Sequence, residues 1–354
     1  MKILFAGGGT MGSVSPLLAI YERAKKDSKN WEYFWVGTKS GPERQVVQDL
    51  GIDYEWLLTA KLRRYFSLHI LIDPFLFIIS FFRSLLIIAT VKPDIIISTG
   101  SFVAVPVIWA GWLWRKKIII HQQDIRPTLS NKLTAWCATK ITASFAKSVA
   151  DYPKKKTLLI GNPVRAHVSA GKREEAIKLW NLDENFPTLL VVGGSSGAGA
   201  FNNWVWENIA SLIKIANVLH ITGQGNVKED LKQSHYTQVE FLDRDMPHAL
   251  AAADVVLSRA GISALSELAY LSKAAVVVPM PKTHQEDNAN YFADQHAVCI
   301  FRQDQLDEHL VNKIGELLTS AGERANLADN IGQMMPKYAD KRMVEIIEAL
   351  SSRA

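Results

Sequence analysis

Short apolar runs alternate with longer helix-like segments along this chain, and the alternation occurs twice. The first series of apolar runs comprises residues 2–6, 33–36, 95–98, 118–120 and 157–160. The second series comprises residues 188–192, 218–222, 255–258, 275–278 and 298–300. Apolar runs of this length, joined by segments long enough to hold a helix, are typical of parallel strands buried on both faces. The pattern therefore predicts two Rossmann-like α/β halves built from right-handed βαβ units.

The tripeptide Gly161-Asn162-Pro163 separates the two series and suits a hinge, because all three residue types favour turns. We expect an N-terminal domain over residues 1–163 and a C-terminal domain over residues 164–335. The remaining residues, 336–354, are expected to form a helix that packs back toward the N-terminal domain. A chain of 354 residues is long enough for two such domains, each with its own core.

The segment 65–91 is strongly apolar, but Asp73, Pro74 and Arg83 interrupt it. A membrane-spanning helix needs about 20 apolar residues with few or no charges, so a span is not expected. One interpretation is a buried helix of the first domain. The other is a face that dips into the bilayer interface, helped by attraction between anionic lipids and basic residues. Three basic residues precede the segment: Lys61, Arg63 and Arg64.

Composition and charge narrow the class of protein. Hydrophobic residues make up 48% and charged residues 21%, as in folded globular proteins. The two cysteines, Cys137 and Cys299, are far apart, so neither a disulfide framework nor a thiolate metal site is expected, and residues 1–10 predict a strand rather than a secretory signal. The net charge of +5 suits phosphorylated ligands or an anionic membrane surface. No segment interleaves aromatic and basic residues as single-strand binders do, so no nucleic-acid partner is expected.

Three glycine-rich loops each follow a predicted strand, at residues 7–13, 99–101 and 193–198. Glycines allow close approach of the backbone to a ligand, and the free amides at a helix start favour anions. For the first loop we expect a helix over residues 17–25 with Pro16 in its first turn. Because ligands of open α/β folds bind at the carboxyl ends of strands, a site in a cleft between the domains is predicted. No loop carries the lysine or the acidic residue of ATP- or NAD-binding fingerprints, which disfavours both classes.

The segment 258–290 is the richest in ligand-binding side chains. Gly261 is expected to begin a helix that carries Ser263, Ser266 and Glu267. A carboxylate in an otherwise apolar helix needs a partner, and either ribose hydroxyls or nearby backbone amides would serve. The polar cluster at 284–288 could bind sugar hydroxyls or remain solvated surface. Asp243-Arg244-Asp245 spells a DxD metal motif but is expected to cap a helix instead.

Seven motifs in order and spacing resemble the MurG family of UDP-N-acetylglucosamine transferases of peptidoglycan synthesis. They are GGGTMGSVSP, STGSFVAVP, HQQD with Asn131 downstream, GNPVR, GGSSGA, SRAGISALSE and HQEDNA, and they extend over nearly the whole chain. The resemblance implies a GT-B glycosyltransferase fold, with two Rossmann-like domains facing across a cleft. It implies an inverting transfer, with no metal and no cofactor, from UDP-GlcNAc to the muramoyl C4 hydroxyl of lipid I, which yields lipid II. It also implies peripheral attachment at the cytoplasmic face of the plasma membrane, with other cell-wall synthesis proteins as candidate partners.

The resemblance assigns roles to individual positions. In the N-terminal, acceptor- and membrane-associating domain, the implied UDP-GlcNAc contacts are Thr10, Met11, Gly12 and Asp124. Arg165 of GNPVR, just past the expected boundary, is implied near the diphosphate. In the C-terminal domain, the implied contacts are Ser195, Leu242 at the uracil, Ile262, Ser263, Ala264, Leu265, Ser266, Glu267 at the ribose, and Gln285 at the sugar hydroxyls. The implied acceptor side comprises Ser13, Phe102 and Asn131.

The chain departs from the family pattern on this acceptor side. Where the family usually has GGTGGH, this chain has Met11 in place of a glycine and Ser13 in place of the histidine. Where the family usually has HEQN, this chain has HQQD. Since a serine is no base at neutral pH, we hypothesise that Asp124, or less favourably His121, accepts the acceptor proton. Three alternatives remain open: another GT-B lipid glycosyltransferase, a UDP-GlcNAc 2-epimerase, and a non-catalytic UDP-sugar-binding protein.

Overall fold

The computed structural model of the chain describes residues 1–58, 73–193, 199–242 and 244–352. The chain divides into two compact units. Unit 1 comprises Met1–Arg165 together with Met335–Ala354, and unit 2 comprises Ala166–Met334. The final helix of the chain therefore belongs to unit 1.

Unit 1 is built on a parallel sheet with the strand order β3-β2-β1-β4-β5-β6-β7. The strands are β1 (Lys2–Ala6), β2 (Glu32–Thr38), β3 (Asp53–Leu57), β4 (Ile95–Ser98), β5 (Lys117–Gln122), β6 (Lys140–Ala143) and β7 (Thr157–Leu159). The helices of this unit are α1 (Met11–Lys26), α2 (Glu43–Asp49), α3 (Asp73–Val91), α4 (Ala104–Leu113), α5 (Leu129–Thr134), α6 (Ala146–Val149) and, at the end of the chain, α14 (Ala339–Ser351).

Successive side chains of β1 enter two different cores. Ile3 and Phe5 pack with residues of α1 and α14, whereas Leu4 and Ala6 pack with residues of α3 and α4. All four are completely buried. Because side chains of a strand alternate between faces, a strand covered on both sides has to be apolar at every position. This is the physical basis of the continuous apolar runs in the sequence.

Unit 2 repeats this plan with the strand order β10-β9-β8-β11-β12-β13, again all parallel. Its strands are β8 (Thr188–Val192), β9 (Asn217–Ile221), β10 (Tyr236–Val239), β11 (Val255–Ser258), β12 (Ala275–Val277) and β13 (Cys299–Ile300). Its helices are α7 (Arg173–Trp180), α8 (Gly199–Leu212), α9 (Met246–Ala252), α10 (Ile262–Leu271), α11 (His284–Asp294), α12 (Glu308–Thr319) and α13 (Ala321–Gly332). The prediction of two Rossmann-like α/β halves is confirmed.

Two details differ from the sequence-based expectation. Helix α1 begins at Met11 rather than near residue 17, so Pro16 lies inside the helix and not in its first turn. The expected helix was too short because Thr10–Ser15 contains glycine and serine, which have low helix propensity, yet Val14 of this segment packs into the core. Strands β3, β6 and β10 were not predicted.

Helix α3 has two unlike faces. Ser80, Ser84, Ile87 and Ile88 are buried in unit 1. The exposed apolar side chains recur at helical spacing, with Phe75 68%, Ile79 52%, Phe82 61% and Leu86 69% exposed. By length and composition alone, the helix could cross a membrane. The basic residues at 61, 63 and 64 lie outside the described residues.

Each sheet buries one histidine whose two ring nitrogens both have side-chain partners. His121 Nδ1 lies 2.9 Å from Thr142 Oγ1, and its Nε2 lies 2.9 Å from Asn162 Oδ1. His220 makes the corresponding contacts with Tyr236 and Asn202, both at 3.0 Å. Burial lowers the pKa of each imidazole to about 4, because the charged form is poorly solvated there.

This burial predicts loss of stability in mild acid. Above pH 6.5 the imidazoles are neutral in both folded and unfolded chains, but between pH 6.5 and about 4 only the unfolded chain binds the protons. The free energy of unfolding should therefore fall through this window, by about 3 kcal/mol per histidine at its lower end. Denaturant titrations at several pH values measure the loss.

Imidazole NMR signals identify the groups responsible. The chemical shifts of the His121 and His220 rings should remain those of neutral imidazole down to about pH 4. Exposed His309 is the internal control, because its hydrogen bond to Asp307 raises the pKa of the ring. Titration of the two buried rings near pH 6.5 would contradict the prediction.

Candidate functional site

Two predicted glycine loops and the HQQD motif of unit 1 lie side by side, because they lie at the ends of the adjacent strands β1, β4 and β5. Side-chain hydrogen bonds join them. Ser101 Oγ donates to the Gly8 carbonyl at 2.8 Å, and Gln123 Nε2 donates to the Thr99 carbonyl at 3.0 Å. The structure thus brings the first glycine loop, the Thr99–Phe102 loop and the HQQD motif together at the carboxyl edge of one sheet.

The first loop ends at the start of α1. Thr10 occupies the N-cap position with an extended backbone and makes no side-chain capping bond. Thr10 is exposed, and Met11, Gly12 and Ser13 are partly exposed, so the implied donor contacts of this loop are accessible. Ser13 Oγ lies 3.2 Å from the Gly8 carbonyl and 3.1 Å from that of Thr10, which makes it a brace of the turn. The amides in the first turn of this 16-residue helix favour an anion.

The second loop depends on its glycine. Gly100 has φ of +93°, and a Cβ there would lie 2.9 Å from Asn131 Oδ1. This left-handed conformation and the close approach both favour glycine. The turn leaves Phe102, an implied acceptor-side residue, 44% exposed.

Buried hydrogen bonds of Gln122 and Asn131 support the backbone of the HQQD loop. Gln122 Nε2 donates to the carbonyls of Asp124 at 2.7 Å and Arg126 at 2.9 Å, while its Oε1 accepts from Asn131 Nδ2 and the Tyr152 hydroxyl, both at 2.7 Å. Both side chains are almost completely buried. Asn131, which the resemblance placed on the acceptor side, therefore supports the loop and does not line its surface.

The two candidate bases have different environments. His121 is completely buried, and each of its ring nitrogens lies within hydrogen-bond distance of a neighbouring side chain. Asp124 is 8% exposed, at the turn that follows β5, and its carbonyl accepts from Gln122 and from Ser148 Oγ. A general base has to reach the proton that it accepts, so Asp124 is the better placed of the two.

Arg165 of the GNPVR motif lies at the end of the first segment of unit 1. Its Nε donates to Glu22 Oε1 of α1 at 2.7 Å, and both side chains are about four-fifths buried. The guanidinium is therefore fixed relative to α1, the helix that begins at the first glycine loop. A cation held in this way suits the implied contact with a diphosphate.

The corresponding residues of unit 2 follow β8, β11 and β12, which are adjacent in its sheet. Gly261 is the N-cap of α10 and, having no side chain, leaves the start of the helix uncapped by its own residue. Of the implied donor contacts in α10, Ile262, Leu265 and Ser266 are buried. Ser263, Ala264 and Glu267 remain partly exposed. These three partly exposed residues lie on one side of the helix, as positions i, i+1 and i+4 do.

Other implied donor contacts have mixed outcomes. Ser266 Oγ donates to the Ile262 carbonyl at 2.6 Å, which is an internal bond of the helix. Gln285 lies in the first turn of α11, not on a loop, and its Oε1 accepts from the Met280 amide at 3.0 Å. Leu242 is buried. Ser195 lies outside the described residues.

The DxD sequence is only partly described, because Asp243 lies outside the described residues. Asp245 occupies the N-cap position of α9, but its side chain makes no capping hydrogen bond. Among the residues that the structure describes, no group of three or more His, Cys, Asp or Glu side chains could hold a metal ion.

Two buried charged residues at these edges were not singled out from the sequence. Glu43 of α2 is completely buried beside the first loop and accepts from the Gly9 amide at 3.1 Å. Arg259, just before Gly261, donates to the carbonyls of Val278 and Pro279. Arg259 lies two residues before Gly261 in the chain, and that proximity is the signal that could have identified it. Glu43 is 34 residues from Gly9 in the chain, so only the folded structure reveals its contact with the first loop.

Comparison with known proteins assigns both parts of the chain. Residues 3–143 match the glycosyltransferase family 28 N-terminal domain, and residues 188–343 match the glycosyltransferase family 28 C-terminal domain. A relative from Bacillus cereus is 35% identical over 322 residues, covering 89% of this chain and 91% of the relative. Its name is UDP-N-acetylglucosamine--N-acetylmuramyl-(pentapeptide) pyrophosphoryl-undecaprenol N-acetylglucosamine transferase 2.

Solved structures share the fold. MurG from Acinetobacter baumannii matches with a TM-score of 0.75 and 22% identity, over 98% of this chain and 99% of that chain. UDP-GlcNAc 2-epimerase from Neisseria meningitidis, solved with UDP-GlcNAc, matches with a TM-score of 0.68 and 15% identity, over 99% of this chain and all of that one. The sequence relatives distinguish between these two classes. With two glycosyltransferase family 28 domains and full-length relatives at about one-third identity, the chain belongs to the MurG family of UDP-N-acetylglucosamine transferases.

Proposed function

We propose that this protein transfers N-acetylglucosamine from UDP-GlcNAc to the C4 hydroxyl of the muramoyl sugar of undecaprenyl-pyrophosphoryl-MurNAc-pentapeptide, lipid I, to give lipid II. The observation that carries the proposal is the 35% identity over 89% of the chain to a transferase of that name. The accessible first turn of α1, the partly exposed Ser263 and Glu267 of α10, and the Arg165 guanidinium fixed by Glu22 support it, because they offer amides, polar side chains and a cation to a nucleotide sugar.

In the proposed reaction the C4 hydroxyl oxygen attacks the anomeric carbon of GlcNAc and the bond from that carbon to the UDP oxygen breaks. UDP leaves with the electron pair, and the hydroxyl proton passes to the Asp124 carboxylate. Helix-start amides and the Arg165 guanidinium stabilise the negative charge that develops on UDP. Glu267 is proposed to bind the ribose hydroxyls from the partly exposed face of α10.

The direct test is incubation of the purified protein with radiolabelled UDP-GlcNAc and synthetic lipid I, with and without EDTA. We expect labelled lipid II in both cases, since the proposed charge stabilisation uses no metal. Transfer only to another lipid, such as a diacylglycerol, would replace the acceptor in the proposal. Loss of transfer in EDTA would contradict the metal-independent mechanism.

The second candidate function is UDP-GlcNAc 2-epimerisation, which the fold similarity to the Neisseria enzyme favours. An epimerase needs no acceptor. Conversion of UDP-GlcNAc alone to UDP-N-acetylmannosamine, or to free N-acetylmannosamine and UDP where water also cleaves the sugar–phosphate bond, would support it. The transferase should consume UDP-GlcNAc only when the lipid acceptor is present.

Asp124→Asn tests the proposed base. The amide cannot accept the proton, so turnover should fall by roughly tenfold or more. The affinity for UDP-GlcNAc, measured by calorimetry, should change little. Asp151→Asn, an exposed carboxylate of the same unit, is the matched control and should keep full turnover. Unchanged turnover in Asp124→Asn would eliminate Asp124 as the base.

We further propose that unit 1 lies peripherally on the cytoplasmic membrane surface through the exposed stripe of α3, defined as Phe75, Ile79, Phe82 and Leu86. Its opposite face packs in the core, and Arg83 pairs with Glu55 at 3.0 Å. A helix that is held in a folded unit along one face is better suited to the interface than to crossing it. Exposed Trp112, Trp114 and Trp136 of the same unit add aromatic side chains, which favour the headgroup region.

Flotation with vesicles tests this surface. Phe82→Ser combined with Leu86→Ser should lower the vesicle partition coefficient by about tenfold or more, because two large apolar side chains no longer enter the interface. Leu179→Ser is the matched control, since Leu179 of unit 2 is 52% exposed and lies outside the stripe. Equal partitioning of both variants would contradict the proposal. Indifference to the fraction of anionic lipid would remove its electrostatic part.

A further inference from the structure

Glu43 joins the ends of two strands through one carboxylate. It is the first residue of α2 and is completely buried. Its Oε1 accepts from the Thr38 amide at 2.7 Å and from Thr38 Oγ1 at 2.6 Å, at the end of β2. Its Oε2 accepts from the Gly9 amide at 3.1 Å, in the loop after β1. The first glycine loop is therefore tied to the neighbouring strand by a buried charge.

The neighbouring glycines leave room for this carboxylate. A Cβ on Gly8 would lie 2.2 Å from Glu43 Oε1, and a Cβ on Gly41 would lie 2.1 Å from Oε2. Both distances are far below van der Waals contact. Gly9 itself has φ of +90°, a conformation that favours glycine. Part of the glycine pattern of the first loop thus accommodates Glu43, in addition to any ligand.

A carboxylate is well suited to this place because all of its partners are donors. Burying a charge is costly unless hydrogen bonds compensate for lost hydration, and here two backbone amides and a hydroxyl do so. The Tyr54 hydroxyl lies 3.3 Å from Oε1, and burial, followed by the proximity of Glu43, raises the pKa of this tyrosine. A glutamine could accept through only one of its two terminal atoms, so its amide group would face either Gly9 N–H or Thr38 N–H.

The same loop is tied from a second direction. The Gly8 carbonyl accepts from Ser101 Oγ of the adjacent loop, as described above. Release of Glu43 would therefore loosen Gly9 while Gly8 stays attached. Gly9 directly precedes Thr10 and the first turn of α1, where the family resemblance places substrate contacts.

We propose that Glu43 is a positioning residue for GlcNAc transfer, which holds the Gly8–Gly9 turn so that Thr10 to Gly12 keep a fixed place beside the Thr99–Phe102 loop. This inference rests on the proposed function. Glu43 acts through the loop and touches no reacting atom. Its contribution should therefore appear in turnover, since displacement of a positioning element by about 1 Å can cost on the order of a hundredfold in rate.

The test compares Glu43→Gln with the wild-type enzyme, at a temperature where circular dichroism shows both to be folded. We expect kcat to fall by about ten- to a hundredfold at saturating substrates. Calorimetric titration with UDP should still give the wild-type stoichiometry, because the folded fraction is unchanged. A proportional loss of stoichiometry and kcat would reveal a purely structural role and overturn the proposal. Absence of transfer by the wild-type enzyme would instead refute the proposed function.

Hydrogen exchange gives a readout that is independent of activity. Peptides covering residues 7–12 should exchange faster in Glu43→Gln, because the Gly9 amide loses its acceptor. Wild-type exchange in these peptides, or an unchanged kcat despite faster exchange, would overturn the proposal.

A milder pair of variants applies if Glu43→Gln does not fold. Thr38→Val removes one donor to Glu43, and Thr157→Val removes a comparable bond from Thr157 Oγ1 to the Pro153 carbonyl, 2.8 Å long, on strand β7. With equal losses of Tm, only Thr38→Val should lower kcat, by about threefold or more. Equal kcat values in the two variants would contradict the positioning role.

Discussion

Parallel strands buried on both faces constrain the rest of this molecule. Every position of β4, and every position of β1 after Lys2, is buried, so neither strand can present a catalytic side chain to solvent from these positions. Ligand-binding residues are left to the loops at the carboxyl edges and to the first turns of the helices that follow. A loop alone is a poor support for chemistry, because its backbone is free to move unless other groups fix it. The positions of the site residues therefore depend on the interactions that fix these loops.

Buried polar side chains provide those ties, and each has the chemistry that its partners require. Glu43 accepts hydrogen bonds from two backbone amides, so the side chain at this position must supply acceptor oxygens. Arg259 donates to the carbonyls at the end of β12 and to Gln303, so it must be a donor, although burial lowers the pKa of its guanidinium. Gln122 accepts from two donors and donates to two carbonyls, which only a carboxamide can do.

The sequence predicted most of the central strands because full burial makes their apolar character continuous. It did not predict β3 and β10, which lie at sheet edges and contain polar as well as apolar residues, nor β6, which begins at Lys140 and has only four residues. Edge strands need less burial, so their composition resembles that of loops.

The site motifs were found by resemblance, but a motif does not tell which of its residues faces outward. Ser266 and Asn131 carry polar groups suited to a sugar, yet the structure buries both and engages them in bonds to nearby backbone. Glu43 was missed for the opposite reason. A glutamate in the first turn of a short helix is common at exposed positions, and only the three-dimensional contact with Gly9 distinguishes it.

The contacts of Gln122 give the departure from HEQN to HQQD a physical reason. Both motifs carry one carboxylate, but its position moves by two residues. A glutamate at 122 in this structure would face the carbonyl oxygens of Asp124 and Arg126, which are 2.7 and 2.9 Å from the present amide nitrogen. Repulsion between those oxygens and a buried carboxylate would distort the loop or raise the carboxyl pKa. In this chain the amide at 122 therefore supports the loop, and the one carboxylate of the motif stands at 124, where the proposed function uses it as the proton acceptor.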